Sequence, residues 1–177
     1  GLGGVSSIYL RGADPNYTQI LIDGVQVNDP TNSRGGSFDV SSIDMQSLER
    51  VEIIRGSQSA VRGADAIAGT INFITRGAGQ ARQYSAVISG GSHGYQRGSA
   101  EARGPLSPKA DLALSAALID DGDATEGSRF HNRSISAKSN IFPSDDSSLR
   151  IVARVSDSDS SNFPDDSGGP VFAVRRI

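Results

Sequence analysis

Three groups of residues in this chain have types and spacings that could do chemistry. Asp166-Ser167-Gly168-Gly169-Pro170-Val171 is spelled like the nucleophile segment of a serine protease, and Gly90-Gly91-Ser92-His93-Gly94 fits the Gly-x-Ser-x-Gly pattern of a nucleophile elbow. Serine attack needs a histidine base oriented by an acid on a fixed scaffold, and neither His93 nor His131 lies in a segment of that kind. The second string sits between two alternating stretches rather than between a strand and a helix, so it reads as a hairpin turn. A serine hydrolase is therefore the remote alternative. The third group is acidic: Asp120, Asp121, Asp123 and Glu126 in one polar loop, and Asp157, Asp159, Asp165 and Asp166 in another. Clustered hard oxygen ligands on flexible loops suit Ca²⁺, which takes six to eight oxygens and relieves their mutual repulsion. Solvated acidic loops are the plain alternative, because neither loop matches an EF-hand. No other cofactor is called for: the two histidines have no ligand partners at metal spacing, and Gly63 to Thr70 lacks the lysine of a phosphate-binding loop.

Composition narrows the scaffold. The chain has 177 residues, enough for about one domain or slightly more, and its 36% hydrophobic and 6% aromatic content is thin for a large core. Its 21 glycines favour bent strands and tight turns over long helices. A net charge of −3 without a basic stripe excludes a nucleic-acid footprint. Without cysteine there are no disulfides and no thiolate metal sites. No apolar run approaches the ~20 residues of a membrane helix, so any crossing of a membrane must be made by barrel strands.

The stretch from Leu48 to Arg76 organises the first part of the chain. Val51, Ile53 and Ile54 form a β-branched run that stops at Arg55-Gly56, and Thr70-Ile71-Asn72-Phe73-Ile74-Thr75 forms a second. Between them Ser57 to Arg62 has room for one or two helical turns, with Ser57 as cap and Gly63 as stop. Upstream, Val5 to Leu10 alternates like a strand ending in Arg11-Gly12. Gln19 to Val25 reads as a buried strand carrying the turn signal Asp23-Gly24, and Ser41 to Leu48 as a capped short helix with Ile43 and Leu48 inward. Two polar loops, Ala13 to Tyr17 and Asn28 to Gly36, separate these elements.

These motifs, together with Ser7-Ile8-Tyr9-Leu10-Arg11-Gly12 and Ile20-Leu21-Ile22-Asp23-Gly24-Val25, resemble the plug of TonB-dependent outer-membrane transporters, most closely the cobalamin branch. The likeness is strong over residues 4 to 76 and pattern-level beyond. Ser57 departs from the proline usual there and Arg62 from the usual aromatic residue. The resemblance implies a plug, an α+β unit of a small mixed sheet with short helices, over residues 1 to 76, with its amino-terminal part missing. A linker then covers 77 to 82, and about six strands of an incomplete β-barrel wall cover 83 to 177. It also implies that Arg11 and Arg55 hold the plug against barrel glutamates, and that Asn16, Tyr17, Asn28, Asn32 and Arg34 touch ligand at the plug apex. In the cobalamin branch the outer loops bind calcium.

From Tyr84 onward, segments of about ten residues alternate in polarity, the signature of a transmembrane β-barrel. Leu149, Ile151, Ala153 and Val155 oppose Arg150, Val152, Arg154 and Ser156, and Arg97, Ser99, Glu101 and Arg103 oppose Gly98, Ala100 and Ala102. Lipid is expected on the apolar set and the plug on the charged set. Strands are expected near 83–91, 94–103, 111–120, 134–142, 148–157 and 171–177. Compact turns at Gly104–Ala110 and Pro143–Ser147 would face the periplasm, and longer loops at Asp120–Asn132 and Ser158–Pro170 would face outward. A plugged barrel takes about 22 strands, so the chain reads as a fragment. The resemblance then implies a non-enzymatic importer in the bacterial outer membrane, taking up cobalamin or a ferric siderophore with TonB as partner. The alternative is a TonB-linked receptor for signalling or for phage or bacteriocin attachment.

Overall fold

The computed structural model describes residues 8–28, 38–58, 66–122 and 129–161. The chain divides into two compact units, Val5–Arg76 and the segment from Gly77 onward.

The first unit is a four-stranded mixed sheet in the order β2-β1-β4-β3, with β1 at Thr18–Ile22, β2 at Val25–Gln26, β3 at Leu48–Arg55 and β4 at Gly69–Thr75. β1 runs parallel to β4, and β2 and β3 are antiparallel to their neighbours. Alternation in β1 and β4 sends Ile20, Ile22, Ile71 and Phe73 to one face, where they meet Leu10, Ile43 and Leu48 in the core. β3 lies at the described edge of the sheet, and its Val51, Ile53 and Ile54 are exposed.

The helix expected over Ser41 to Leu48 is instead two single 3₁₀ turns, Val40–Ser42 and Met45–Ser47. Each is made the same way. An aspartate, Asp39 or Asp44, accepts the backbone N–H two residues on (2.9 and 3.2 Å), and a serine, Ser42 or Ser47, donates its hydroxyl back to that aspartate's carbonyl at 2.7 Å. Five residues separate Ile43 from Leu48, about 140° of rotation on an α-helix, so the two could not share a face there. The extended backbone at Ile43 and Leu48 that ends each turn lets both reach the core. The expected strand Val5–Leu10 is not one where it is described, since Ile8–Leu10 are irregular; the expected helix over Ser57–Arg62 is irregular at Ser57 and Gln58 and otherwise lies outside the described residues.

The second unit is an antiparallel meander, β5-β6-β7-β8-β9, at Gln83–Gly90, Gln96–Ser107, Ala110–Asp120, Arg129–Ser144 and Ser147–Ser161. The five strands fall where alternation places them; β6 to β9 run longer than expected and β5 ends one residue sooner. β6 and β7 continue through the expected turn at Gly104–Ala110, and β8 and β9 close to Asp145–Asp146. Prolines did not end the strands because each sits near an irregularity: the register shifts between Pro105 and Ser107 and between Ile141 and Ser144. The expected strand 171–177 lies outside the described residues.

Register fixes the two faces. Tyr84, Ala102, Leu114, Ala137 and Ala153 form one cross-strand row, and Ala86, Ala100, Ala116, Ile135 and Val155 the next. Leu114, Leu118, Ile135, Leu149, Ile151 and Val155 are all exposed there. The opposite face carries Arg97, Glu101, Ser115, Ser136, Asn132, Arg150 and Arg154. One apolar and one polar face, on strands of which β6 to β9 reach the 9–11 residues a tilted crossing requires, is the pattern of a membrane barrel wall. Among the described residues no helix is long and apolar enough to cross a membrane.

Candidate functional site

One end of the plug sheet gathers the segments expected to meet ligand. Asp14 accepts the Asn16 N–H at 3.2 Å and caps the 3₁₀ turn Pro15–Tyr17, which leaves Asn16 and Tyr17 exposed. The Tyr17 carbonyl accepts the Ala68 N–H at 2.8 Å, and Gly56 and Gln58 donate to the carbonyls of Ala68 and Ala66 at 3.0 and 2.8 Å. Asn28 joins the same end. Its Oδ1 accepts the Ile20 N–H at 2.7 Å and its Nδ2 donates to the Thr18 carbonyl at 3.1 Å. The side-chain amide thus replaces a peptide group and adds one more rung beside β1 after β2 has ended. Asn16, Tyr17 and Asn28 are brought together at the start of β1. Asn32 and Arg34 lie outside the described residues, in the loop that Asn28 opens.

The opposite end holds residues whose part the sequence did not disclose. Asp23 and Gly24, at φ +50° and +87°, make the two-residue turn between β1 and β2. Asp23 accepts the Thr75 N–H at 3.2 Å and also the Thr75 hydroxyl, while Asn72 Oδ1 accepts the Gly24 N–H at 3.1 Å. Two motifs separated by about fifty positions, Ile-Asp-Gly and Ile-Asn-Phe-Ile-Thr, are therefore the two halves of one hydrogen-bonded knot. Their only sequence-level signal was the turn spelling Asp-Gly.

The two Arg-Gly pairs differ. Arg11 and Gly12, at φ +55° and +76°, form a tight turn closed by the Ala13 N–H on the Leu10 carbonyl at 3.1 Å. Arg55 is the last residue of β3 and precedes Gly56 at φ +98°. Both arginines are exposed, and neither forms an ion pair among the described residues. Arg50, on the same strand, does: it lies 2.8 Å from Glu52 and 2.6 Å from Glu49, and the Glu52 hydrogen bond pushes its guanidinium pKa further up.

The polar face of the wall is laced by side-chain bonds. Ser115 and Ser136 share a 2.7 Å hydroxyl contact, and Asn132 Nδ2 donates to Ser158 and Ser156 at 2.6 and 3.2 Å. Asp111 accepts from Asn140 N and Nδ2 at 2.9 and 3.0 Å. Arg103 Nε lies 3.1 Å from Glu101 in a part-buried pair. Of the acidic loop residues, Asp120 sits 3.2 Å from His131 and Asp159 3.4 Å from Arg129. Among the described residues no three carboxylates or histidines come together as a metal site. Asp123, Glu126, Asp165 and Asp166 lie outside them. Gly90–Gly94 is the β5–β6 turn, closed by the Gly91 N–H on the Tyr95 carbonyl at 2.9 Å.

Residues 1–70 match the TonB-dependent receptor plug domain. Solved receptors share the fold over both units. The siderophore receptor PirA from Pseudomonas aeruginosa superposes with a TM-score of 0.65 at 23% identity, over 85% of this chain and 27% of its own. The ferripyoverdine receptor of the Pseudomonas aeruginosa outer membrane gives a TM-score of 0.66 at 21% identity, over 82% and 20%. The copper transporter OprC gives 0.66 at 20%, over 82% and 23%. The chain thus spans about a quarter of the length of the solved receptors it matches. These likenesses show the fold that the chain shares with outer-membrane receptors.

Proposed function

We propose that the full-length receptor imports a scarce ligand too large for porins, using force delivered by TonB. The observation that carries this reading is the pairing, on one chain, of a knotted plug sheet with a wall that is apolar on one face and polar on the other. Ligand caught by Asn16 and Tyr17, with Asn32 and Arg34 from the loop that Asn28 anchors, biases the plug. Arg11 and Arg55 hold the plug to the barrel until TonB draws it aside. This is binding and gating, with no covalent step.

The plug motifs favour cobalamin, while solved relatives named as siderophore receptors favour a ferric siderophore. Uptake of labelled cobalamin against a panel of ferric siderophores, by cells producing the full-length receptor with and without TonB, decides between them. One ligand should accumulate only with TonB. Uptake that is indifferent to TonB, or absent for the whole panel, overturns the reading.

Calcium at the outer loops belongs to the same proposal, carried by Asp121, Asp123, Glu126, Asp165 and Asp166, since Asp120 and Asp159 already face His131 and Arg129 and Asp157 lies within β9. Calcium at a hundredfold its Kd would stabilise the full-length receptor by about 2.7 kcal/mol. An unchanged melting temperature removes the site.

A further inference from the structure

The linker over residues 77 to 82 is fastened at both of its ends. Arg103, on the charged face of β6, spreads its guanidinium over three acceptors. Nη1 donates to the Gly77 carbonyl at 3.2 Å, Nη2 donates to the Gln83 side-chain carbonyl, and Nε lies 3.1 Å from a Glu101 carboxylate oxygen. Gln83 opens β5 and is the cross-strand partner of Arg103, so one side chain grips the first residue of the linker and the strand into which it leads. The Arg103 and Glu101 side chains are 25% and 10% exposed, which limits the competition of water for these contacts.

The backbone beside Arg103 is shaped to match. Gly104 has φ +155°, and a Cβ there would lie 2.7 Å from Arg82 Cα, so the missing side chain is what lets the last linker residue close on β6. Between the two fastenings Ala78 is buried and Gly79 turns the chain at φ +73°. Immediately upstream the bonds belong to the other unit: the Arg76 N–H and Nε donate to the Ser47 and Leu48 carbonyls at 2.9 and 3.2 Å. The change of hold falls on the peptide bond between Arg76 and Gly77, which is also where the chain divides into its two compact units.

We propose that Arg103 is a positioning residue that pins the tether of the plug to the wall, so that the chain hinges at Arg76–Gly77 when the plug is drawn aside. Released from the pin, the six linker residues could extend to about 20 Å and the plug could travel further by up to that length. Pinned, the plug turns about a fixed point and the opening stays small. A lysine at this position would keep the charge but not the hold, because a single ammonium lacks the planar fork that spans three acceptors. The inference rests on the gating proposed above, while the pin itself is a property of the second unit and is measured without it.

The test is electron paramagnetic resonance of the full-length receptor, in a background without other cysteines, carrying a nitroxide at Gln80→Cys, an exposed linker position, or at Ile88→Cys, an exposed control on β5. With Arg103 in place the label at position 80 should give the broad spectrum of a restricted segment. Arg103→Ala and Arg103→Lys should both narrow it to that of a free loop and leave position 88 unchanged. If Arg103→Ala also frees position 88, the wall itself has been disturbed, and Arg103→Lys, which keeps charge and bulk, decides. In cells both substitutions should lower the inhibitory concentration of vancomycin, a probe of wide openings, only when TonB is present. A spectrum at position 80 that neither substitution moves overturns the pin, and a narrowed spectrum with unchanged vancomycin sensitivity overturns its part in gating. Ligand uptake by the wild type that is indifferent to TonB overturns the import reading instead, and the spectra still decide the pin.

Discussion

Replacing Gly69 with alanine should loosen the plug more than any other single methyl group added to its described glycines. Gly69 opens β4 at φ +149°, and a Cβ there would lie 2.2 Å from the Ile54 carbonyl oxygen and 2.6 Å from Leu10 Cδ2. The first neighbour is backbone of β3 and the second a core side chain, so neither can swing into solvent. The unfavourable φ costs about 1–3 kcal/mol and the overpacking about as much again, which gives a central expectation of about 4 kcal/mol. That corresponds to roughly a thousandfold more local opening of the β3–β4 ladder. Gly24 provides the control, because it sits at φ +87° with nothing within 4 Å of its Cβ position. Gly24→Ala should bear only the backbone cost of about 1–2 kcal/mol, some five- to thirtyfold in opening. Hydrogen exchange followed by mass spectrometry on the full-length receptor reads both, in peptides covering 48–55 and 69–75. If Gly69→Ala opens the sheet no more than Gly24→Ala, close approach is not why glycine starts β4, and the reasoning fails.

Three further outcomes follow from the same geometry. Asp23→Ala removes the acceptor of the Thr75 N–H and hydroxyl and should cost about 1.5–3 kcal/mol, whereas Asp23→Asn tolerates the positive φ and should cost less; thermal unfolding ranks them. Gly122→Ala would put a Cβ 2.1 Å from the His93 carbonyl, so it should part the β5–β6 turn from the end of β7 and expose residues 91–95 to protease, with β3 and β4 unaffected. Arg55→Ala in the full-length receptor should raise pore conductance in planar bilayers and protease sensitivity of the plug, and unchanged values of both would remove Arg55 from the lock.

The sequence discloses the wall almost completely, because a period of two is a direct image of a two-faced strand: Leu149, Ile151, Ala153 and Val155 share a face whatever the tertiary context. It also marks β3, β4 and the Asp23-Gly24 turn. What it hides is what side chains do to backbone elsewhere. Asn28 sits in a polar loop and looks free for a ligand, yet both ends of its amide are spent on Ile20 and Thr18, so its contribution to binding would be to hold the loop. Asn72 and Thr75 look like ordinary strand residues until register sets them beside the β1–β2 turn. The helix over Ser41 to Leu48 misled because serine and aspartate are good caps, and capping twice in succession leaves no interior to propagate.

On the proposed gating, these ties also indicate where the four-stranded sheet would yield. β1 and β4 are bound by a parallel ladder and by the Asp23–Thr75 and Asn72–Gly24 bonds, whereas β3 is held along one edge by its ladder to β4, with Val51, Ile53 and Ile54 exposed. Arg76 adds bonds to the Ser47 and Leu48 carbonyls, at the start of β3 only. The far end of β3, which carries Arg55, is tied by that ladder and by the Gly56 and Gln58 bonds to the Ala68 and Ala66 carbonyls, so the described main-chain partners of β3 there all lie on β4 and the residues just before it, and a strand held along one ladder can open locally. Ile54 and Thr70 are cross-strand partners near that end, the Thr70 hydroxyl is buried without a hydrogen-bond partner, and the chain has no cysteine. Ile54→Cys with Thr70→Cys would thus close a disulfide across the ladder at little structural cost, neighbouring strands lying within bridging distance. If import works by peeling β3, the oxidised double variant should bind ligand as the wild type does but transport little of it, and reduction should restore uptake. Undiminished uptake through the oxidised bridge, with the bridge verified by mass, would mean that β3 and β4 move together and that the passage opens elsewhere.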